Sequence, residues 1–84
     1  MYSVYILQCA DSTYYTGIAL HAAERLAAHN SGQGAKYTRA RLPARLVYQE
    51  DGYTKSAALK REKAIKSLPR AEKIKLLNGQ RFLP

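Results

Sequence analysis

Five side chains in this sequence are of types that do chemistry, and their spacing is regular. Tyr5 and Tyr15 sit in two short aromatic runs ten residues apart, Arg25 follows ten residues later, and His29 comes four beyond that. Glu62 stands alone further on. On a helix turning one hundred degrees per residue, it falls between Ala58 and Ile65 on one side and Leu59 on the other. Lys60 and Lys63 point the opposite way. A lone carboxylate in an apolar stripe is costly unless something positive meets it, and an i,i+4 ion pair with Lys66 would do so. Arg25 and His29 share one face of their helix, at the edge of an apolar stripe, where a solvated flank is the plainer reading. Tyr5 and Tyr15 face the same side of two strands, where simple packing is the plainer reading.

A second group of residues is basic. The chain carries 14 Lys and Arg against 6 Asp and Glu, a net charge of +8, unevenly spread. Residues 1–35 carry a net −1, whereas residues 36–75 carry +8 and the last nine add +1. A half-basic domain points to a polyanionic partner, because each phosphate met by Lys or Arg releases bound counterions. Lys36, Arg39, Arg41 and Arg45 are the candidate phosphate contacts. Tyr37, among them, offers a face on which an unpaired base can stack. No segment reads as a recognition helix for base edges, so strong sequence specificity is not expected.

The elements that must position these residues follow from pattern. Tyr2 to Cys9 is rich in aromatic and β-branched residues and reads as a strand, apolar on both faces and so covered on both. Ala10-Asp11-Ser12-Thr13 is a turn, and Tyr14 to Ile18 returns as the second strand of a hairpin. Gly17 inside that strand marks a bulge or a close approach by another group. Leu20 to Asn30 has helical spacing, and Asn30-Ser31-Gly32 ends it. Gly32 to Pro43 is a basic loop with room for one helical turn at Tyr37 to Arg41. Arg45 to Asp51 reads as a third strand, Asp51-Gly52 as a turn, and Thr54 as the N-cap of a helix from Lys55 to Ser67. Pro69 opens a last helix that Asn78-Gly79 should stop. The order is β-β-α-β-α-α, an α+β domain with a three-stranded antiparallel sheet and helices on both faces.

Composition excludes much else. A chain of 84 residues makes one domain with one core of two layers, residues 1–84, and no separate cofactor domain. Its five glycines form no phosphate loop or dinucleotide fingerprint, and the single cysteine, Cys9, allows neither an internal disulfide nor a zinc cluster. No apolar run approaches a membrane span and no leader pattern opens the chain, so a cytoplasmic protein with no membrane partner is the expectation.

Taken together, Ser3-Val4-Tyr5, Tyr15-Thr16-Gly17, Arg25 with His29, and Glu62 on the following long helix resemble the GIY-YIG nuclease family. That family is named for two short strand motifs about ten residues apart, with an arginine about ten residues further on. The likeness is to its minimal, single-domain bacterial members, and Gly34-Ala35-Lys36-Tyr37-Thr38-Arg39 also looks like their loop.

The resemblance implies an endonuclease of DNA processing or repair, hydrolysing phosphodiesters with one divalent cation, Mg²⁺ or Mn²⁺, held mainly by Glu62. It implies that Arg25 grips a non-bridging phosphate oxygen and that Tyr5 orients or deprotonates the attacking water, with His29 as rival base. Tyr15 would hydrogen-bond the nucleophile or a phosphate oxygen, and Gly17 would let substrate backbone come close. The partner is nucleic acid, DNA ahead of RNA, with a slight lean to single-stranded or distorted substrate. A protein partner or homodimer is compatible with so small a domain. The sequence departs from the family pattern at Ser3 (in place of Gly), at Thr16, and at Gln8, where some members carry a basic residue. It also has Ile74 where members tend to have Asn, with Asn78 as a late substitute. Two other readings stay open: a non-catalytic or partner-dependent nucleic-acid-binding module of the same fold, and a protein-interaction domain whose basic face meets an acidic partner.

Overall fold

The computed structural model describes residues 1–81 and arranges them in the order β1 (Tyr2–Gln8), β2 (Tyr14–Ala19), α1 (Ala22–Asn30), α2 (Lys36–Arg39), β3 (Arg45–Tyr53), α3 (Lys55–Lys66) and α4 (Arg70–Arg81). The three strands form one antiparallel sheet in the order β2-β1-β3. β1 is therefore the central strand, which is why neither of its faces is polar. Val4 and Ile6 face one way and pack with Tyr48, Ala58 and Ile65, against which Leu76 and Leu77 of α4 also lie. Tyr5 and Leu7 face the other way and pack with Ala22, Leu26 and Ala44. Helices α3 and α4 thus cover one face and α1 the other, so the sheet is the middle of three layers with a core on each side, and not half of a single two-layer core.

The β1–β2 pairing is regular from Ser3↔Ala19 to Gln8↔Tyr14, so Gly17 sits in an unbroken ladder directly opposite Tyr5. No bulge forms there; the close approach is the correct alternative. The irregularities lie instead between β1 and β3, where the register shifts once between Tyr2 and Val4 and again between Ile6 and Leu7. Asp51-Gly52 accordingly does not end β3 in a turn. Gly52, with φ of +89°, is absorbed as a bulge, and the strand continues to Tyr53. The Ser3 hydroxyl donates to Asp51 Oδ1 at 2.6 Å, so the bulged residue is held by the strand it faces.

Helix α1 begins two residues later than its periodicity suggests, because Ala19 is still paired in β2. Its end follows the sequence signal, with Ser31 as C-cap and Gly32 at φ +84°. Asn30 then ties that end to the start of β3: its amide nitrogen donates to the Ala44 carbonyl at 2.9 Å, and its carbonyl accepts from the Ala44 N–H at 2.8 Å. The turn of helix in the basic loop falls at Lys36–Arg39, one residue earlier than its expected start. Thr54 caps α3 by accepting from the Ala57 N–H at 3.2 Å. Helix α4 passes through Asn78-Gly79 to Arg81, since glycine is permissive at a helix end and does not compel one.

One polar cluster fixes α3 on the sheet. Arg61 grips Glu50 with two parallel hydrogen bonds of 2.8 Å, Nε to Oε1 and a terminal nitrogen to Oε2. Tyr53 donates to the same carboxylate at 2.6 Å, and Tyr48 donates to its other oxygen. The Arg61 guanidinium, first, and the two phenols hold Glu50 down at a pKa of about 2 against the opposing effect of burial. Because Arg61 directly precedes Glu62, this clamp also sets where Glu62 stands along the sheet.

Candidate active site

The Tyr5 ring crosses over Gly17. A Cβ at Gly17 would lie 2.6 Å from the Tyr5 hydroxyl oxygen and 2.8 Å from Cζ, so only glycine leaves the phenol its place. From there the Tyr5 hydroxyl reaches His29 Nε2 at 3.0 Å, joining the central strand to α1. Tyr15 closes the group from the edge strand, with ring centroids 6.5 Å from Tyr5 and 5.2 Å from His29. Tyr5 and His29 are both fully buried, whereas Tyr15 is half-buried and Arg25, one turn before His29, is exposed.

Electrostatics couple these groups. Burial, and then the neighbouring Tyr15, push the Tyr5 phenol up to about 12, while Arg25 draws it down and Glu62 adds a smaller upward push. The Glu62 carboxylate is therefore within electrostatic range of the Tyr5 hydroxyl, although α3 lies on the opposite face from α1. Burial, and then Arg25, hold His29 below its ordinary value, so the ring is neutral at pH 7.

Glu62 is half-buried and makes the expected i,i+4 ion pair with Lys66, at 3.5 Å. Among the described residues no cluster of three or more His, Cys, Asp or Glu could hold a metal ion. A single carboxylate is nonetheless the donor set that suits Mg²⁺ or Mn²⁺, which keep most of their waters and take one or two protein oxygens.

The structure brings Tyr5, Tyr15, Gly17, Arg25 and His29 together, with Glu62 in range. The basic residues divide. Lys36 and Arg39 are exposed on α2. Arg41 is engaged: Nε donates to Asp11 at 3.1 Å, a terminal nitrogen donates to the Tyr37 carbonyl at 2.8 Å, and the guanidinium covers the Tyr37 ring at 4.0 Å. Tyr37 is also stacked beside Tyr15, at 6.1 Å between centroids. The departure at Gln8 has a counterpart on β3, since Gln8 Oε1 accepts two hydrogen bonds from Arg45, at 3.1 and 2.6 Å. A guanidinium thus stands beside that position, supplied by the neighbouring strand. Ile74 and Asn78 are exposed on α4. A shallow groove of about 250 Å³, lined by Tyr14, Tyr15, Thr16, Tyr37, Lys66 and Lys73, runs beside the cluster.

Sequence reasoning missed two contributors. Thr38, fully buried, lies 2.8 Å from His29 Nδ1. The Glu50–Arg61 clamp is the second. A polar pair surrounded by Tyr48 and Tyr53 was its only sequence signal.

Fold and cluster together define a small nuclease-type domain. A family model described as the GIY-YIG catalytic domain matches residues 1–75, and the chain belongs to that family. It is 52% identical over 75 residues to a UPF0213 protein of Staphylococcus saprophyticus, covering 89% of this chain and 92% of the relative. It is 53% identical over 74 residues to a UPF0213 protein of Natronomonas pharaonis, covering 88% and 87%. Two solution NMR structures share the fold. A UPF0213 protein from Bacillus halodurans is 42% identical with a TM-score of 0.59, over 93% of this chain and 84% of that one. A protein from E. faecalis is 36% identical with a TM-score of 0.64, over 99% and 88%.

Proposed function

We propose that this domain is a metal-dependent endonuclease that hydrolyses phosphodiester bonds in DNA, with Tyr5, Tyr15, Arg25, His29 and Glu62 as its working set. The observation that carries the reading is the convergence of a buried phenol, a buried imidazole and an exposed guanidinium at one place, with a carboxylate in electrostatic range.

Arg25 binds a non-bridging oxygen of the scissile phosphate through its planar fork. Tyr5, as its phenolate, accepts a proton from the attacking water, whose oxygen bonds to phosphorus as the bond to the 3′ oxygen breaks. The 3′ oxygen takes up a proton from solvent, leaving a 5′-phosphate and a 3′-hydroxyl. Tyr15 orients the water or a phosphate oxygen. Glu62 would hold the divalent cation, which when bound neutralises phosphate charge and assists the leaving oxygen. Lys36 and Arg39 meet flanking phosphates, and Arg45, anchored on Gln8, adds positive charge from β3.

The direct test is cleavage of labelled single-stranded, duplex and branched DNA, and of RNA, by the pure protein with Mg²⁺, Mn²⁺ or EDTA. Cutting that requires the metal and favours DNA supports the reading. Salt-dependent binding with no cutting under any ion would make the domain a nucleic-acid-binding module instead. That second reading has one observation in its favour: burial holds the Tyr5 phenol up at about 12, a poor base in the absence of a cation.

A further inference from the structure

Tyr15 stands on β2, an edge strand, and its hydroxyl makes no hydrogen bond among the described residues. Its side chain is placed by three rings instead. Tyr5 and His29, both fully buried, lie at 6.5 and 5.2 Å between centroids, and Tyr37 is stacked beside it at 6.1 Å with 27° between the planes. Of the three, Tyr37 alone reaches the surface, and it is fastened to the turn from which β2 starts. The Arg41 guanidinium covers its ring at 4.0 Å, and a terminal nitrogen of Arg41 donates to the Tyr37 carbonyl at 2.8 Å. Arg41 is in turn tied to that turn twice. Its Nε donates to Asp11 Oδ2 at 3.1 Å, and its carbonyl accepts the Ala10 N–H at 2.8 Å. Asp11 Oδ1 accepts from both the backbone N–H and the hydroxyl of Thr13, at 3.1 and 2.5 Å. Two residues on is Tyr15, so the chain of contacts from Asp11 through Arg41 and Tyr37 closes on itself.

We infer that Tyr37 is a positioning residue, whose ring, pinned by Arg41 to the β1–β2 turn, holds the Tyr15 ring against Tyr5 and His29. The groove lined by Tyr14, Tyr15, Thr16, Tyr37, Lys66 and Lys73 opens beside Tyr15 and offers about 250 Å³ into which that ring could turn. Stacking on Tyr37 favours the orientation that keeps it with Tyr5 and His29. The hydroxyl is thereby left in a fixed place with its hydrogen-bonding capacity unspent. The same contacts make Tyr37 a poor platform for an unpaired base, since a base stacking where Arg41 lies must displace a guanidinium that also holds Asp11 and a carbonyl. Helix α2 thus divides its labour: Lys36 and Arg39 are exposed to meet phosphates, and Tyr37 between them works on Tyr15.

The catalytic half of this inference rests on the nuclease reading, in which Tyr15 orients water or a phosphate oxygen, but the placement of Tyr15 does not. NMR of the tyrosine- and histidine-labelled protein, free of metal and DNA, reads that placement as cross-relaxation between the Tyr15 and His29 rings. The signal is expected in wild type and in Tyr37→Phe, which keeps the ring, and should weaken in Tyr37→Leu. Cross-relaxation between Tyr5 and His29 should persist in all three, which separates loss of the brace from loss of the fold. Tyr37→Met repeats the comparison with a more adaptable side chain. An undiminished Tyr15–His29 signal in Tyr37→Leu and Tyr37→Met overturns the inference. In cleavage, Tyr37→Leu should lower kcat about tenfold while DNA affinity stays within about twofold, and Tyr37→Phe should recover the rate. The opposite split, weakened DNA binding with kcat unchanged, would make Tyr37 a stacking face and likewise overturn it. A wild type that does not cut refutes the nuclease reading, while the ring contacts still decide whether Tyr37 places Tyr15.

Discussion

The hydroxyl of Tyr5 lies 3.0 Å from Nε2 of His29, across 24 residues of sequence and from the central strand to the helix that covers it. Gly17 makes room for the first of these groups, and Gly34 makes room for the second. The contact is therefore held from both ends by positions that tolerate no side chain.

The substitution Gly17→Ala should displace the Tyr5 phenol, because its Cβ would sit 2.6 Å from the hydroxyl oxygen of a fully buried ring. Overpacking of this kind costs about 1–3 kcal/mol. Thermal unfolding should show the loss as a lowered Tm, and cleavage should fall by more than stability accounts for. A variant with wild-type Tm and rate would mean the ring does not occupy that position.

The pH dependence separates the two candidate bases. Burial keeps Tyr5 up at about 12, so its phenolate fraction rises about tenfold per pH unit throughout the neutral range. His29 sits below its ordinary value, and a rate governed by its neutral form would already be level there. Single-turnover rates should therefore climb through neutrality, and Tyr5→Phe should be inactive. A plateau from mildly acid pH upward would assign the role to His29.

Acid should loosen the junction between β3 and α3. The unfolded chain protonates Glu50 near 4.5, whereas the folded protein holds it ionised down to about 2. Its contribution is thus complete above pH 4.5 and is lost as pH falls toward 2, a difference of about 3 kcal/mol. Denaturant unfolding across that window should show the decline. Arg61→Ala should remove a similar amount at neutral pH, by leaving a buried carboxylate without its cation. An Arg61→Ala protein as stable as wild type would contradict the clamp.

Much of this was legible in the sequence because the functional spacings are local to regular elements. Tyr5 and Tyr15 take their faces from strand alternation, and Arg25 and His29 take theirs from one helical turn. Thr38 was not legible, because its place beside His29 depends on how the loop from Gly32 folds back, which no periodicity encodes. Asp51-Gly52 misled for a related reason: a glycine at positive φ serves a bulge as well as a turn, and only the pairing with Ser3 decides between them. Arg41 and Arg45 are candidate phosphate contacts from charge alone, and the protein partner each also has, 30 or more residues away in sequence, is not legible there.

That difference has a measurable consequence. Removing Lys36 or Arg39 should flatten the dependence of DNA affinity on salt by about 0.7–0.9 in the log–log slope per contact. Arg41→Ala should act chiefly through stability, by freeing Asp11 and uncovering Tyr37. Fluorescence anisotropy over a salt series checks both. Equal slopes for wild type and the Lys36 and Arg39 variants would place the phosphate path elsewhere.

The most direct test of the central claim compares wild type with Glu62→Gln, measuring DNA binding and Mg²⁺-dependent cleavage separately. The substitution keeps the side chain's shape and removes a carboxylate whose charge acts on Tyr5. The expected result is binding within about twofold of wild type, with cleavage reduced by at least about a hundredfold. Cleavage at the wild-type rate by Glu62→Gln would contradict the account.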